Sequence, residues 1–459
     1  MKKPSLFDLP GEFPGTIWYG DEEVEAVTRV LKKQSPFRYY GPECQFEVKQ
    51  FEEELGRFLS VPPGFAWPDE PELHVTAVNS GTGALEVALD ALGVGAGDEV
   101  IVPGFMWISS ISSIIRSRAI PVLVDSDETL GLDPAELRNV ITSRTKVVMP
   151  VPMLGGSSRI GAIMEVVREV NARRVNQDLA PVRVLEDCAQ ALGAHALGTP
   201  GSISRIGDEG TYRLGTFGDI GIYSLQINKN ISAGEGGMIV TRDSALHRRV
   251  EALHNAGYAK DDEPAENWYG DVPLGWGHGR RMSELQGAVA RVQLRKLDGI
   301  VANMRRSHDR FEERIRTHGL VPRMRADADN SGDTGYYCIF GLPETDATEE
   351  EKIAKGREVA AAFEEWGLHP WFLHDFEVHV YYNIRALVEK WPMSDGSPWD
   401  CEQNAFHTQY EYGRGTLPKL DDSLISCIGF NVPSQLTLEI EDKILEVIEY
   451  VLCQHVLTD

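Results

Sequence analysis

From residue 73 the chain settles into a rhythm. Short apolar runs at 75–78, 99–102, 121–124, 146–151 and 182–185 alternate with helical patterns at 83–92, 107–117, 134–141 and 160–176. Strands that are apolar on both faces and separated by helices can be buried as a mostly parallel sheet with helices on both sides. Sheets of that kind carry their sites where the chain leaves the carboxyl ends of the strands. Two further apolar segments, 221–225 and 237–241, flank a glycine cluster and read as neighbouring strands. The expected fold class is α/β, with a mostly parallel central sheet and a smaller C-terminal α+β domain.

The flanking segments fit that plan. Residues 22–33 and 45–59 read as amphipathic helices around an aromatic stretch, Ser35-Pro36-Phe37-Arg38-Tyr39-Tyr40-Gly41-Pro42, and a turn-rich stretch, 61–72, follows. A long helical pattern, 282–316, carries Glu284, Arg291, Lys296 and Arg305 on its polar side and leads out of the large domain. An amphipathic helix at 437–453 closes the chain. The expected division is an N-terminal segment with the large domain at 1–300 and a small domain at 301–459, with loop-rich insertions at 196–214 and 386–418. A length of 459 residues suffices for two packed lobes.

Charge and cysteine usage exclude several functions. A net charge of −25 argues against a general nucleic-acid binder and against docking on an anionic membrane, and reads as solubility. The six cysteines are scattered without a C-x-x-C pair, so neither a zinc ribbon nor a disulfide framework is indicated. A reducing cytosol fits them. The N-terminus has no apolar core of a signal peptide, and no apolar run is long enough to span a bilayer, so a cytoplasmic location is expected.

Four features follow one another in an order that pyridoxal 5′-phosphate (PLP) chemistry explains. Asn79-Ser80-Gly81-Thr82-Gly83 joins a strand to a helix, where exposed N–H groups attract a phosphate and glycines let the backbone approach it. Glu186-Asp187-Cys188-Ala189-Gln190 ends a strand, and a carboxylate there can hold a pyridine nitrogen protonated. Ser224-Leu225-Gln226-Ile227-Asn228-Lys229 places a lysine in a tight turn after a buried strand, where desolvation favours the neutral amine that forms an imine. Ser232-Ala233-Gly234-Glu235-Gly236-Gly237 then returns the chain into the next strand with little side-chain bulk. Trp107, just past the strand at 99–102, offers an indole to stack on the ring or to pack in the core.

Residues 22–300 resemble the DegT/DnrJ/EryC1/StrS group of fold-type-I, aspartate-aminotransferase-like PLP enzymes, the sugar aminotransferases. The resemblance is carried by N-S-G-T-G-A-L at 79–85, G-A-G-D-E-V-I-V-P at 95–103, E-D-C-A-Q at 186–190, G-D-I-G-I-Y-S at 218–224, K-N-I-S-A-G-E-G-G at 229–237 and R-M-S-E-L-Q at 281–286. It implies that Lys229 holds the cofactor as a Schiff base and shuttles protons. It implies that Asp187 pairs with the ring nitrogen, Gln190 touches the ring hydroxyl and Trp107 stacks on the ring. Gly81, Thr82 and Ser224 would bind the phosphate. A homodimer with its site at the subunit interface is implied as well.

The departures from the family pattern lie on the substrate side. Gly279-Arg280 stands where an Asn-Tyr pair is usual, and Ala256, Gln226 and Pro152 stand where histidines are common. Arg280 is therefore a candidate for the phosphate or for an anionic group of the substrate, and Arg38 for a substrate carboxylate or phosphate at the dimer interface. The competing readings are packing of Tyr39 and Tyr40 beside Arg38, and a solvent-facing arginine paired with a surface acid for Arg280. His374, Asp375, Glu377 and His379 read as surface polar residues rather than metal ligands, and no metal is expected. The expected activity is amino transfer from glutamate or glutamine to a keto sugar, cyclitol or similar polar ketone. The alternatives are elimination, replacement or carbon–carbon bond formation on the same cofactor, and a non-catalytic scaffold, which an intact Lys229 and Asp187 argue against.

Overall fold

The structure is a computed structural model that describes residues 3–457 apart from Glu12, Pro63, Ser157, 199–209, 259–275 and 323–331. Helices α1 (Asp21–Lys32) and α2 (Glu47–Leu59) precede β1 (His74–Val78). The expected alternation follows: α3 (Gly81–Ala91), β2 (Glu99–Pro103), α4 (Ile108–Arg116), β3 (Ile120–Val124), α5 (Pro134–Val140), β4 (Thr145–Val148), α6 (Ile160–Val175) and β5 (Arg183–Asp187). A two-stranded ribbon, β6 (His195–Gly198) with β7 (Gly210–Arg213), occupies part of the first expected insertion. Then come β8 (Ile220–Ser224), β9 (Gly237–Thr241) and α7 (Ser244–His254).

These strands form a seven-stranded sheet in the order β1-β9-β8-β5-β4-β2-β3. β3, β2, β4, β5 and β8 pair in parallel, while β9 runs antiparallel to both β8 and β1. β1 therefore points the same way as β8, and β9 alone is reversed. Alternation along each strand sends neighbouring residues to opposite faces. Val100 and Val102 join α3, α4 and α7 in one core, and Ile101 joins α2 and α6 in the other.

Helix α8 (Glu284–Thr317) starts at a capping box made by Ser283 and Gln286 and runs unbroken for 34 residues. Leu294, Leu297 and Ile300 pack in the large core, whereas Phe311 and Ile315 pack in the small one. A domain boundary at 300 thus falls inside a continuous helix. Glu284, expected on the polar side, is buried instead. Its carboxylate accepts the N–H groups of Glu47 (2.7 Å) and Val48 (3.1 Å) and so caps the start of α2.

The second sheet, β10 (Val321–Pro322), β11 (Tyr337–Gly341), β12 (Pro370–Phe372) and β13 (Cys427–Asn431), has the order β10-β11-β13-β12 and is antiparallel throughout. Helices α9 (Glu349–Glu364) and α12 (Leu438–Val451) bury Phe363 and Ile448 against it. The chain between β12 and β13, with the short helices α10 (Arg385–Val388) and α11 (Pro418–Leu424), leaves that sheet altogether. Leu373, Phe376, Val380, Tyr381, Leu417 and Leu420 pack into the large-sheet core. Tyr381 N–H donates to Gly104 O (2.9 Å) and Met106 N–H to His379 O (2.9 Å), fastening this stretch to the end of β2. A side chain at Gly104 would collide with Leu417 and Leu420, so the contact requires glycine there.

Candidate active site

The carboxyl ends of β1, β2, β5 and β8 converge on a cavity of about 510 Å³. Gly81, Thr82, Trp107, Asp187, Gln190, Ser224 and Lys229 all line it. Strand alternation separates the two acids at the end of β5. Glu186 points away and accepts N–H groups from Gly215 (2.8 Å), Phe217 (2.7 Å) and Gly218 (2.8 Å), which shapes the turn before β8. Burial pushes Glu186 up to about 7, against those three hydrogen bonds. Asp187 faces the cavity, where Ser110 Oγ (2.7 Å) and Ala189 N–H (3.3 Å) donate to it. Burial raises its pKa as well, while Ser110, Ala189 and the charge of Lys229 oppose the rise.

Lys229 stands in the turn after β8. Its N–H donates to Gln226 O (3.0 Å) and its carbonyl accepts from Gly15 N–H (3.3 Å). Tyr336 Oη donates to the neighbouring carbonyl of Asn228 (2.6 Å). Burial lowers the amine to about 8, with Asp187 pulling the other way. A neutral, nucleophilic amine is therefore within easy reach at physiological pH.

Opposite the lysine, α3 opens directly on the cavity. Ser80 Oγ accepts from Gly83 N–H (3.0 Å), so the cap uses the third helical N–H and leaves the first two for a ligand. Gly81 lies so close to Ser224 that a Cβ there would sit 2.9 Å from Ser224 Cβ. Thr82 Oγ1 and Ser109 Oγ are 2.8 Å apart. Three hydroxyls and a helix N-terminus make a cradle for a dianionic phosphate. Ser109, the second residue of α4, is a member that carries no motif of its own in the sequence. Gln190 Oε1 accepts from Leu154 N–H (2.7 Å), which leaves the amide NH₂ to donate.

The outer wall is aromatic. The Trp107 ring is tilted over His379 at a centroid distance of 4.8 Å, and His379 stacks on Phe376 at 4.0 Å and 11°. Burial drives His379 down to about 4, assisted by the charge of Lys229 and opposed by its bond to Phe376 O, so the ring is neutral. Glu377 also lines the cavity, held in the left-handed region at φ 42°. The expectation that residues 374–379 are surface polar groups is corrected for His379, which is half-buried, whereas Glu377 borders the cavity and is exposed. Asp375 and His374 do lie outside, where Arg357 forks onto Asp375 (2.7 and 2.8 Å) and His374 bonds it (2.8 Å). The four do not gather as metal ligands. Among the described residues, the group that comes within ligating range is His318, Glu449 and Cys453, and Arg314 already pairs with that glutamate at 3.1 Å.

The two candidate arginines are placed elsewhere. Arg38 is buried behind β1, forked onto Glu52 (3.0 and 3.1 Å) and donating to Ala77 O (3.1 Å), and it does not reach the cavity. Its neighbours Tyr39 and Tyr40 misled the sequence reading, because the partner carboxylate lies on α2. Removing one member of a buried ion pair leaves the other uncompensated, at a cost of about 3–5 kcal/mol. Arg38→Met is therefore expected to lower the urea midpoint of unfolding clearly while leaving the Michaelis constants of the folded enzyme unchanged. A raised Michaelis constant at unchanged stability would restore Arg38 to substrate binding.

Arg280 pairs with Glu86 on α3 (2.5 Å), which also holds Arg116 (3.0 Å). Its stem crosses Gly83, where a Cβ would meet Arg280 Cδ at 3.3 Å. The preceding Gly279 has φ 67°, a left-handed turn that glycine adopts without strain. Arg280 thus lies beside the first turn of α3, outside the cavity of its own chain.

The residues present fit PLP on structural grounds: a phosphate cradle, a buried carboxylate, a depressed amine and an exposed indole surround one cavity. The fold and this site define a fold-type-I PLP enzyme. The model of the DegT/DnrJ/EryC1/StrS aminotransferase family matches residues 19–374, and the chain belongs to that family. It is 35% identical over 301 residues to an L-glutamine:2-deoxy-scyllo-inosose aminotransferase of Streptoalloteichus tenebrarius, covering 63% of this chain and 66% of that protein. It is 37% identical over 246 residues to a GDP-perosamine synthase of Caulobacter vibrioides, covering 53% of this chain and 57% of that protein. The match thus spans about two thirds or less of these relatives' length. Among solved structures, 3-amino-5-hydroxybenzoic acid (AHBA) synthase superposes with a TM-score of 0.69 at 27% identity, covering 99% of this chain and 100% of that chain.

Proposed function

We propose that the enzyme moves an amino group from glutamate or glutamine to a keto sugar, cyclitol or similar polar ketone in sugar or specialised-metabolite biosynthesis. The reading rests on one juxtaposition: the depressed amine of Lys229 and the carboxylate of Asp187 share a cavity with the cradle of Gly81, Thr82, Ser109 and Ser224. Bound there, PLP supplies the electron sink that makes a donor's α-proton removable. Lys229 would accept that proton at Nζ once its amine is freed. Asp187 would keep the ring nitrogen protonated, held in place by Ser110. Trp107 would cover one face and keep water off it. The names of the relatives, an inosose aminotransferase and a perosamine synthase, support a polyhydroxy ketone as acceptor.

A cytosolic homodimer completes the proposal. No helix among the described residues is long and apolar enough to cross a membrane, and the cysteines are free thiols, as a reducing compartment keeps them. Exposed Tyr40 and Trp276 lie on the segments that hold Arg38 and lead to Arg280, and they support an interface on that side of the site. The decisive measurement incubates the holoenzyme with glutamine and a ketocyclitol. Keto acid and aminated cyclitol are expected in equal amounts. Ammonia and keto acid released instead from an amino acid that carries a β or γ leaving group, with no aminated cyclitol formed from glutamine, would transfer the assignment to elimination.

A further inference from the structure

The wall above the cofactor cradle carries an uneven charge. Among the described residues lining the cavity, Lys229 is the cation, and Asp187, Glu235 and Glu377 are the acids. Lys229 and Asp187 are committed to the cofactor. His379 contributes a neutral ring. Pro152 and Gln226 line the same wall without charge, at positions where the family's histidines are common. The part of the substrate side that this chain's described residues supply therefore presents two carboxylates beside aromatic faces, Trp107, Trp371 and Phe376, and no arginine or lysine besides Lys229.

That combination suits one chemistry. A carboxylate offers two acceptor oxygens and takes hydrogen bonds from adjacent hydroxyls of a polyol, while an indole packs against the C–H face of a ring. A nucleoside diphosphate asks for the opposite, cationic forks that meet phosphate oxygens. Glu377 is the better placed of the two acids. Its backbone is held at φ 42° between Phe376, which is buried in the core, and His379, whose carbonyl is bound by Met106. The side chain itself is exposed at the mouth of the cavity, where an entering acceptor meets it.

We infer that Glu377 reads the hydroxyl groups of an uncharged polyhydroxy ketone, and that its carboxylate disfavours nucleotide-linked acceptors. The inference rests on the aminotransferase reading and sharpens its substrate class. The test uses the holoenzyme with glutamine and two probes, an unphosphorylated ketocyclitol and a nucleoside-diphosphate-linked keto sugar. Wild type is expected to prefer the ketocyclitol by about a hundredfold or more in kcat/KM, a difference of two or more charge-assisted contacts. Glu377→Gln keeps the shape and removes the charge, and is expected to raise KM for the ketocyclitol about tenfold with kcat within about twofold. Glu377→Lys is expected to narrow the discrimination by admitting the anionic probe. Preference of wild type for the nucleotide-linked ketone, or an unchanged KM in Glu377→Gln, would overturn the inference while leaving amino transfer intact. Failure to release keto acid from glutamine with either ketone would overturn the aminotransferase reading and this inference with it.

Discussion

Lys229→Ala is expected to lower turnover by roughly 10⁴-fold or more, because one substitution removes both the covalent anchor of the cofactor and the group that moves the proton. Loss of a positioned acid–base alone costs about 10²–10⁴-fold, and loss of the nucleophile adds to it. The amine is suited to both tasks by its surroundings, which depress it to about 8 while Asp187 keeps it from falling further. Two readouts besides rate check the assignment. The wild-type holoenzyme should absorb in the visible, and borohydride should fix the cofactor irreversibly on Lys229. The variant should retain cofactor only reversibly, through the cradle around Gly81 and Ser224. Recovery of the label on any other lysine would sink the assignment.

Asp187→Ala is the second large effect. The carboxylate sits at the buried end of β5, raised by burial and held by Ser110 and Ala189. A raised carboxylate pKa means the fold disfavours its ionised form, so its removal should not destabilise the apoprotein. Catalysis should suffer instead. A charge-assisted bond of about 1.5–3 kcal/mol to the ring nitrogen disappears, and the rate is expected to fall at least roughly 10–10²-fold, further if the electron sink fails. Part of the cofactor should remain bound through its phosphate. Near-wild-type turnover would mean that another group holds the nitrogen. A collapse of thermal stability with no cofactor bound would mean that Asp187 is a structural acid, as Glu186 beside it is.

That pair shows what a sequence can and cannot disclose. The acids are adjacent, and their separation into a structural and a chemical role follows from the alternation of β5, which the apolar run at 182–185 already announced. The strands of the large sheet were legible for the same reason, as were the helices between them, with ends displaced by a few residues. The reversed direction of β9 was not legible, because a strand's apolar pattern has no arrow. Arg38 and Glu284 were misread because each finds its partner on α2, and periodicity says nothing about which distant helix arrives. Residues 371–379 are less legible: Trp371 and Phe376 carry no signal of a site, and Glu377 and His379 read only as surface polar groups. The stretch has no helical or strand period, and Trp371, Phe376, Glu377 and His379 enter the site only through contacts with the end of β2.

The placement of that stretch builds the mouth of the cavity from both sheets. Phe376 and His379 are bolted to the large sheet through Val380, Tyr381 and Gly104, and Trp107 stands on the same block. Tyr337 and Trp371, by contrast, belong to strands of the small sheet, at the starts of β11 and in β12. Trp371 nevertheless leans on Phe376 at a ring-centroid distance of 4.6 Å, and Tyr337 packs against the large core, so the two halves of the mouth meet ring to ring. The entrance is therefore a seam between two sheets, and a substitution at Trp371 reaches the large-sheet side of it through Phe376.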